Sequence, residues 1–150
     1  MAQTLTKVYI HVVFSTKNRD DLIAPEFEKE LFAYIGGVLR KHNSVLIAAN
    51  GTENHVHLLI SQSKNISLSD LLRELKKASS LWIKTKNSVF KNFQWQAGFG
   101  AFSIGQSQIE TVMNYIAGQK EHHQTELFED EYRKFLQKYE VDFDEQYFLD

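Results

Sequence analysis

Residues 55–60 of this 150-residue chain read His55-Val56-His57-Leu58-Leu59-Ile60, an apolar run that contains two histidines. In a β-strand, successive side chains point to opposite faces, so both imidazoles would share one face and the aliphatic side chains of residues 56, 58 and 60 the other. Neutral imidazoles held side by side can bind one divalent cation and leave coordination positions free. Satisfied structural histidines explain the pair alone about equally well, so both interpretations stay open.

The segments before this strand predict that it is one half of a hairpin. Residues 8–15 are β-branched and aromatic, which is typical of a strand, and apolar residues at helical spacing predict a helix from Pro25 to about His42. Residues 45–49 predict a short strand, and Asn50-Gly51 mark a turn that leads back towards the histidine strand.

The segments after the histidine strand complete the predicted fold. Ser67 and Asp70 resemble a capping box that opens a second helix, and residues 95–104 predict a glycine-dotted strand, or two. The order strand, helix, strand, strand, helix, strand predicts an α+β fold, a ferredoxin-like split βαβ sandwich with an antiparallel sheet and helices on one face. We expect His55 and His57 on the face that these helices leave open.

Further helices are expected towards the C-terminal end. Ser107 and Glu110 again fit a capping box, here for a helix that carries Tyr115. A last helix is expected from about Thr125 to Tyr139, before an acidic and aromatic tail. Without a linker or an internal repeat, residues 1–150 are expected to form a single domain.

The composition excludes several classes of protein. The chain has no cysteine, which excludes disulfide scaffolds, thiolate zinc sites and cysteine nucleophiles. No stretch approaches the roughly 18 apolar residues of a membrane span, and residues 1–7 lack the apolar segment of a signal peptide. We therefore expect a cytoplasmic protein that does not interact with membranes.

Charge is distributed unevenly along the chain. Residues 73–91 carry six basic side chains and one acidic one, whereas residues 121–150 carry ten acidic and three basic side chains. A local basic face can bind a phosphate backbone whatever the total charge, although a solvated helix surface explains the charges alone better.

Tyr115 and Gln119 are spaced by four residues in the helix that follows residue 107. The apolar stripe of this helix holds Ile109, Val112, Met113 and Ile116, so Tyr115 lies on the polar face. A phenol on that face loses its proton more easily near a cation, and Gln119 can offer a carbonyl oxygen to the same ion. From one sequence, an ordinary exposed Gln119 is the simpler interpretation.

Three other histidines are accessory candidates. His11 alternates with Val12 in the first strand and so can share the face of the histidine pair, although a satisfied structural role accounts for it better. His122 and His123 could orient phosphates, carry protons or cap the end of the tyrosine helix, and we weight capping slightly higher.

Several segments together resemble one family. They are His11-Val-Val-Phe-Ser-Thr-Lys-Asn-Arg19, Asn54-His-Val-His-Leu-Leu-Ile60, Gly98-Phe-Gly-Ala-Phe-Ser-Ile-Gly105, Val112-Met-Asn-Tyr-Ile-Ala-Gly-Gln-Lys-Glu-His-His123 and the tail 143–150. Over nearly its whole length the chain resembles the single-tyrosine HUH transposases, the IS200-like insertion-sequence transposases, which are related to REP-associated tyrosine transposases. His-x-His followed by Tyr-x-x-x-Gln is much more specific than either motif alone.

The resemblance implies a metal-dependent DNA transposase that cleaves and rejoins single-stranded DNA at hairpin-bearing element ends. By carry-over, His55, His57 and Gln119 would hold Mg²⁺ or Mn²⁺, and Tyr115 would be the nucleophile that forms a 5′-phosphotyrosine. Family members are typically homodimers in which the tyrosine helix of one subunit serves the histidines of the other, and Gly105 is the expected hinge. The candidate residues for binding hairpin DNA are Arg73, Lys76, Lys77 and Lys84. The acidic C-terminal third is not expected to touch DNA and is expected to face solvent or the partner subunit instead.

Two alternatives compete with this interpretation. A histidine-triad nucleotide hydrolase carries a third histidine in the strand, but Leu59 occupies that position here. A non-transposing hairpin DNA-binding or REP-associated cellular relative would keep the same fold. The presence of Tyr115 and Gln119 argues against lost chemistry without excluding this second alternative.

Overall fold

A computed structural model describes residues 2–150. Its strands are β1 (Tyr9–Ser15), β2 (Val45–Gly51), β3 (His55–Ser61) and β4 (Gly100–Ile104). Its helices are α1 (Pro25–Lys41), α2 (Leu68–Lys84), α3 (Ile109–Ala117), α4 (Gln119–His122) and α5 (Phe128–Lys138). Within residues 2–150, no helix combines the length and apolarity that crossing a membrane requires.

The strands form one antiparallel sheet in the order β2-β3-β1-β4. β1 lies between β3 and β4, and its register with β3 places Val13 opposite His57 and His11 opposite Leu59. This strand order is that of a ferredoxin-like sandwich, so the predicted fold class is confirmed.

Helices α1 and α2 cover one face of the sheet, as predicted. Alternate side chains of β3, Val56, Leu58 and Ile60, are fully buried against them. Pro25 is the first residue of α1, and the Ser67 hydroxyl caps α2 by accepting a hydrogen bond from the Asp70 amide at 3.1 Å.

The second face of the sheet is covered too, by the helices that follow β4. On this face, α3 packs against β3 and β4 through Ile116, while α5 packs against β1 and β4 through Phe128, Tyr132 and Leu136. The expectation that this face is open is therefore wrong. The two strand histidines do lie on it, but both are fully buried.

The hairpin between β2 and β3 turns later than predicted. Asn50 and Gly51 continue β2, and residues 52–54 make the turn. A Cβ atom on Gly51 would lie 2.1 Å from the carbonyl oxygen of His55, so only glycine allows the two backbones to approach this closely.

The other boundaries that differ from prediction lie after residue 94. The strand expected over residues 95–104 is confined to Gly100–Ile104, and Trp95 forms an isolated bridge with Thr16. Ser107 does not cap α3, because the capping position is Gln108 and no side chain bonds there. The tyrosine helix ends at Ala117, and Gly118 separates it from α4.

The residues after α5 return along the β4 side of the sheet. The Asp150 carbonyl accepts a hydrogen bond from the Gly98 amide at 3.0 Å, and Phe143 and Phe148 pack against the α5 cluster. This tail holds α5 against the second face.

Candidate metal and nucleophile site

Strand β3 presents both of its histidines to the space between the sheet and the helices α3–α5. The ring centroids of His55 and His57 lie 5.3 Å apart, and neither residue is exposed to solvent. Their shared face follows from strand alternation, as predicted.

The turn before β3 orients the imidazole of His55. His55 Nδ1 lies 2.8 Å from Asn54 Oδ1, which can only accept, so the network assigns the proton to Nδ1. The lone pair of His55 Nε2 then points away from the turn, towards Gln119 Oε1 at 3.2 Å.

The second histidine is held from the neighbouring strand. His57 Nδ1 lies 2.8 Å from His11 Nε2, and both residues are buried. On its other side, His57 Nε2 lies 2.9 Å from Glu131 Oε1. His11 therefore shares the face of the pair, as expected, and supports one of its rings.

Glu131 of α5 lies at the centre of the cluster, and sequence reasoning missed it. It is 1 % exposed, and its two oxygens contact His57, His123, Tyr115 and Gln119. The expectation that the acidic end faces solvent or a partner subunit is wrong for this residue. The available signal is its position among Phe128, Tyr132 and Phe135, which places a carboxylate on the apolar stripe of α5.

The burial of this cluster sets the charges within it. Burial, aided by the neighbouring histidines, lowers the pKa of His55 to about 3. Burial alone would raise the pKa of Glu131, but hydrogen bonds from His123 and His57 outweigh it and hold that pKa well below its ordinary value. Burial also opposes a charge on His123, yet its hydrogen bond with Glu131 raises the pKa of that imidazole.

The residues present fit a divalent metal. Ligand atoms of His55, His57, His123 and Glu131 all lie within 4.8 Å of one another. In addition, His55 Nε2 and Gln119 Oε1 face each other as two acceptors. A cation between them satisfies both atoms, whereas the lowered pKa of His55 disfavours a proton there.

Tyr115 projects from α3 into the same cluster. Its hydroxyl donates a hydrogen bond to Glu131 Oε2, and its ring centroid lies 6.0 Å from that of His57. Burial and the contact with Glu131 raise the pKa of the phenol. The structure thus brings Tyr115 to the histidines of its own chain.

Gln119 and the two C-terminal histidines reach this region in different ways. Gln119 is fully buried rather than exposed, and its Nε2 donates to Glu131 Oε2 at 3.0 Å. His123 occupies the C-terminal cap position of α4, but its ring lies 3.0 Å from Glu131 Oε1. His122 is exposed, and its ring stacks on Tyr115 with centroids 4.8 Å apart.

The four predicted DNA-binding residues lie on α2, which covers the opposite face of the sheet. Arg73, Lys76, Lys77 and Lys84 all line one cavity of about 520 Å³ together with Trp95. Lys76 is less available to bind a phosphate, because its ammonium already donates a hydrogen bond to the carbonyl of Gln96 at 2.8 Å. Arg73 pairs with Asp70, and Lys77 is exposed. The structure therefore groups these side chains but keeps them away from the histidine cluster.

Comparisons with known proteins give one matching family and two solved structures with a similar fold. The family model described as IS200-like transposase matches residues 4–119. A crystal structure of a candidate transposase from Deinococcus radiodurans R1 superposes with a TM-score of 0.62 and 18% identity, covering 79% of this chain and 95% of the other. A REP-associated tyrosine transposase bound to a REP hairpin superposes with a TM-score of 0.61 and 19% identity, covering 82% of this chain and 73% of the other. A search of curated proteins finds no match.

Proposed function

Because the chain belongs to the IS200-like transposase family, we propose that it cleaves and rejoins single-stranded DNA at hairpin-bearing element ends through a 5′-phosphotyrosine. One observation carries this proposal: the Tyr115 hydroxyl, the Glu131 carboxylate and the His57 imidazole form one connected hydrogen-bonded cluster, which Gln119 extends to His55. A nucleophile, a carboxylate that holds its hydroxyl and a set of metal ligands are thereby present together.

Tyr115 is the proposed nucleophile. Its oxygen forms a bond to the scissile phosphorus as the bond from phosphorus to the 3′-oxygen of the preceding nucleotide breaks. The phenolic proton leaves as this bond forms and the departing 3′-oxygen takes up a proton to become a free hydroxyl, so the step has no net proton change. Glu131 Oε2, which accepts the hydrogen bond of the phenol, positions the attacking oxygen. A 3′-hydroxyl of another strand reverses these steps and restores the tyrosine, so no nucleotide cofactor is consumed.

The metal ligands proposed for this chain are His55, His57 and Gln119, joined by His123 and Glu131. When bound, a divalent ion would polarise the phosphate and orient it for in-line attack. Mg²⁺ and Mn²⁺ are the expected ions. Of the two, Mn²⁺ accepts imidazole ligands more readily, so a site with three imidazoles favours it.

The basic face of α2 is the proposed contact for the hairpin duplex. Arg73, Lys77 and Lys84 can reach phosphates there, while Lys76 mainly shapes the loop that it bonds. The proposed assembly is a homodimer that can share active sites by exchanging tyrosine helices. Gly105 is the proposed hinge. A Cβ atom there would meet nothing within 4 Å and its φ of −76° suits any residue, so the folded conformation does not require glycine. The backbone freedom of glycine is then what this position offers to a moving helix.

The proposal is tested by incubating the protein with hairpin-bearing single-stranded DNA and either MnCl₂ or MgCl₂. We expect a covalent protein–DNA adduct on a denaturing gel, formed at lower concentrations of Mn²⁺ than of Mg²⁺. Tyr115→Phe should bind the DNA without an adduct, and His57→Ala should lose the adduct. A Tyr115→Phe variant that still forms the adduct, or a wild-type protein that binds hairpins but never forms one, contradicts the proposed strand transfer.

A further inference from the structure

A cleft between α3 and α5 adjoins the proposed nucleophile. Its volume is about 520 Å³, within the range of pockets that enclose ligands of nucleotide size. Tyr115 and Glu131 form part of its wall, next to residues of β4 and of both helices. Whatever occupies this cleft therefore lies beside the phenol.

One side of the cleft carries an available positive charge. Lys134 and Lys138 are one helical turn apart on α5, and both line the cleft. Lys134 is paired with Glu126 at 2.5 Å. Within residues 2–150, by contrast, no carboxylate lies within the ion-pair distance of 4.0 Å from Lys138. The carboxylate of Glu131, the other acid in the wall, is engaged by the histidine cluster.

Aromatic rings lie next to this charge. Phe135 and Tyr139 line the cleft, and both stack on the buried Phe102, with centroids 5.4 Å and 4.8 Å from it. The Lys138 ammonium lies 5.6 Å from the ring centroid of Tyr139. Packing fixes the position of these rings, so an aromatic surface and a cation stand side by side. That pairing suits the base and the backbone phosphate of one nucleotide.

We infer that this cleft binds the nucleotide next to the scissile phosphate of single-stranded DNA. Lys138 pairs with the adjoining backbone phosphate, and the base lies against Tyr139 and Phe135. The inference rests on the proposed function, because the role of Tyr115 defines which phosphate is scissile. It assigns a DNA contact to the acidic C-terminal part of the chain, where the charge pattern predicts none.

The test measures the binding of a short fluorescent single strand without a hairpin. Tyr115→Phe serves as the background, so that no covalent step contributes, and anisotropy is followed at several salt concentrations. Adding Lys138→Glu should weaken binding about tenfold or more and reduce the salt slope by about one. Lys29→Glu, which makes the same charge change at an exposed site on α1, should leave binding within about twofold.

A second measurement addresses the base. A 2-aminopurine next to the scissile phosphate should lose fluorescence on binding because it stacks, and Tyr139→Leu should restore much of that signal. Thermal melting shows whether each variant is folded. Equal weakening by Lys29→Glu and Lys138→Glu, or unchanged binding and quenching in the cleft variants, overturns the inference.

These outcomes are separable from those of the adduct assay. If wild type forms the Tyr115 adduct but Lys138→Glu binds normally, the cleft assignment fails while strand transfer stands. If no adduct forms but binding depends on Lys138, the cleft still holds single-stranded DNA and the proposed chemistry fails.

Discussion

His11 decides how the ring of His57 is held. A metal on His57 Nε2 requires the ring proton on Nδ1, where His11 Nε2 lies 2.8 Å away and can accept it. Without a metal, the same contact can run in reverse, with His11 donating to His57. Burial lowers the pKa of His11 to about 3, so its imidazole stays neutral and can play either part.

We therefore expect His11→Leu to bind Mn²⁺ roughly 10- to 100-fold more weakly than wild type, the usual effect of losing such a support. His11→Gln, which can still accept or donate a hydrogen bond, should retain more of the affinity. Isothermal titration calorimetry with MnCl₂ measures this, and thermal melting checks that both variants fold. If the leucine variant binds Mn²⁺ as tightly as wild type, His11 has no positioning role.

At this scale the sequence predicts the site only in part. Within the histidine motif, His55 and His57 share a direction because strand spacing sets it. The histidine pair meets Tyr115 and Gln119 through tertiary packing, which the resemblance implies and the spacing does not. Glu131 lies 74 residues beyond His57 and contacts it only through tertiary packing. No local sequence pattern predicts which face of the sheet α5 will cover.

At the scale of the elements, the packing of α5 against the sheet depends on one glycine of β4, Gly100. A Cβ atom on Gly100 would lie 2.6 Å from Cε1 of Tyr132, a ring that is 4% exposed and packed against Phe128 and Phe148. Its contacts with these two rings hold it in place, so the ring or α5 itself has to shift to accept the extra methyl group.

Gly100→Ala should accordingly lower the free energy of unfolding by about 1–3 kcal/mol, the usual cost of overpacking a core. Gly105→Ala is the matched control, since its Cβ atom meets nothing within 4 Å, and it should change that free energy by no more than about 0.5 kcal/mol. Urea denaturation followed by circular dichroism compares the two. Equal stability of the two variants contradicts the proposed contact.

Elements with strong local signals are predicted well, and those without them are not. Pro25 and Ser67 mark the starts of α1 and α2 because each acts within its own first turn. Ser107 fits the same pattern but lies within a short 3₁₀ turn over Gln106–Gln108, so the cap of α3 falls at Gln108. The four-residue spacing of Tyr115 and Gln119 does not predict the break at Gly118. Gln119 lies after that break and still reaches the cluster.

For the whole molecule, buried imidazoles make stability depend on pH when no metal is bound. The pKa values of His11 and His55 are lowered to about 3, mainly by burial. Between the ordinary histidine pKa of about 6.5 and that value, the unfolded chain binds protons at both rings and the folded chain does not. Acid therefore favours unfolding over this interval, and the lowered pKa of Glu131 acts in the same direction below about pH 4.5.

We expect the free energy of unfolding, measured in the presence of a chelator, to fall as pH decreases from about 6.5 to 4. The slope should be up to about 1.4 kcal/mol per pH unit for each of the two rings, reduced by the opposite contribution of His123. Urea titrations at several pH values test this, and His11→Gln should show a shallower slope. A stability that is constant or rises towards pH 4 contradicts it.

The overall architecture is predictable because the spacing of hydrophobic residues along the sequence indicates each strand and helix. Alternation in β3 and helical spacing in α1 and α2 define one core, and the order of the elements defines the sheet. The second core is not predictable in this way. It depends on α3 and α5 folding back over a face whose polar histidines suggest contact with solvent.

The position of Glu131 in α5 has a consequence for protein synthesis. A ribosome makes the chain from its amino end, so the imidazoles of β3 leave the exit tunnel long before the carboxylate that joins them and accepts the hydrogen bond of Tyr115. A nascent chain therefore carries an incomplete histidine cluster until α5 has been made and has docked. The proposed strand transfer requires that docking step.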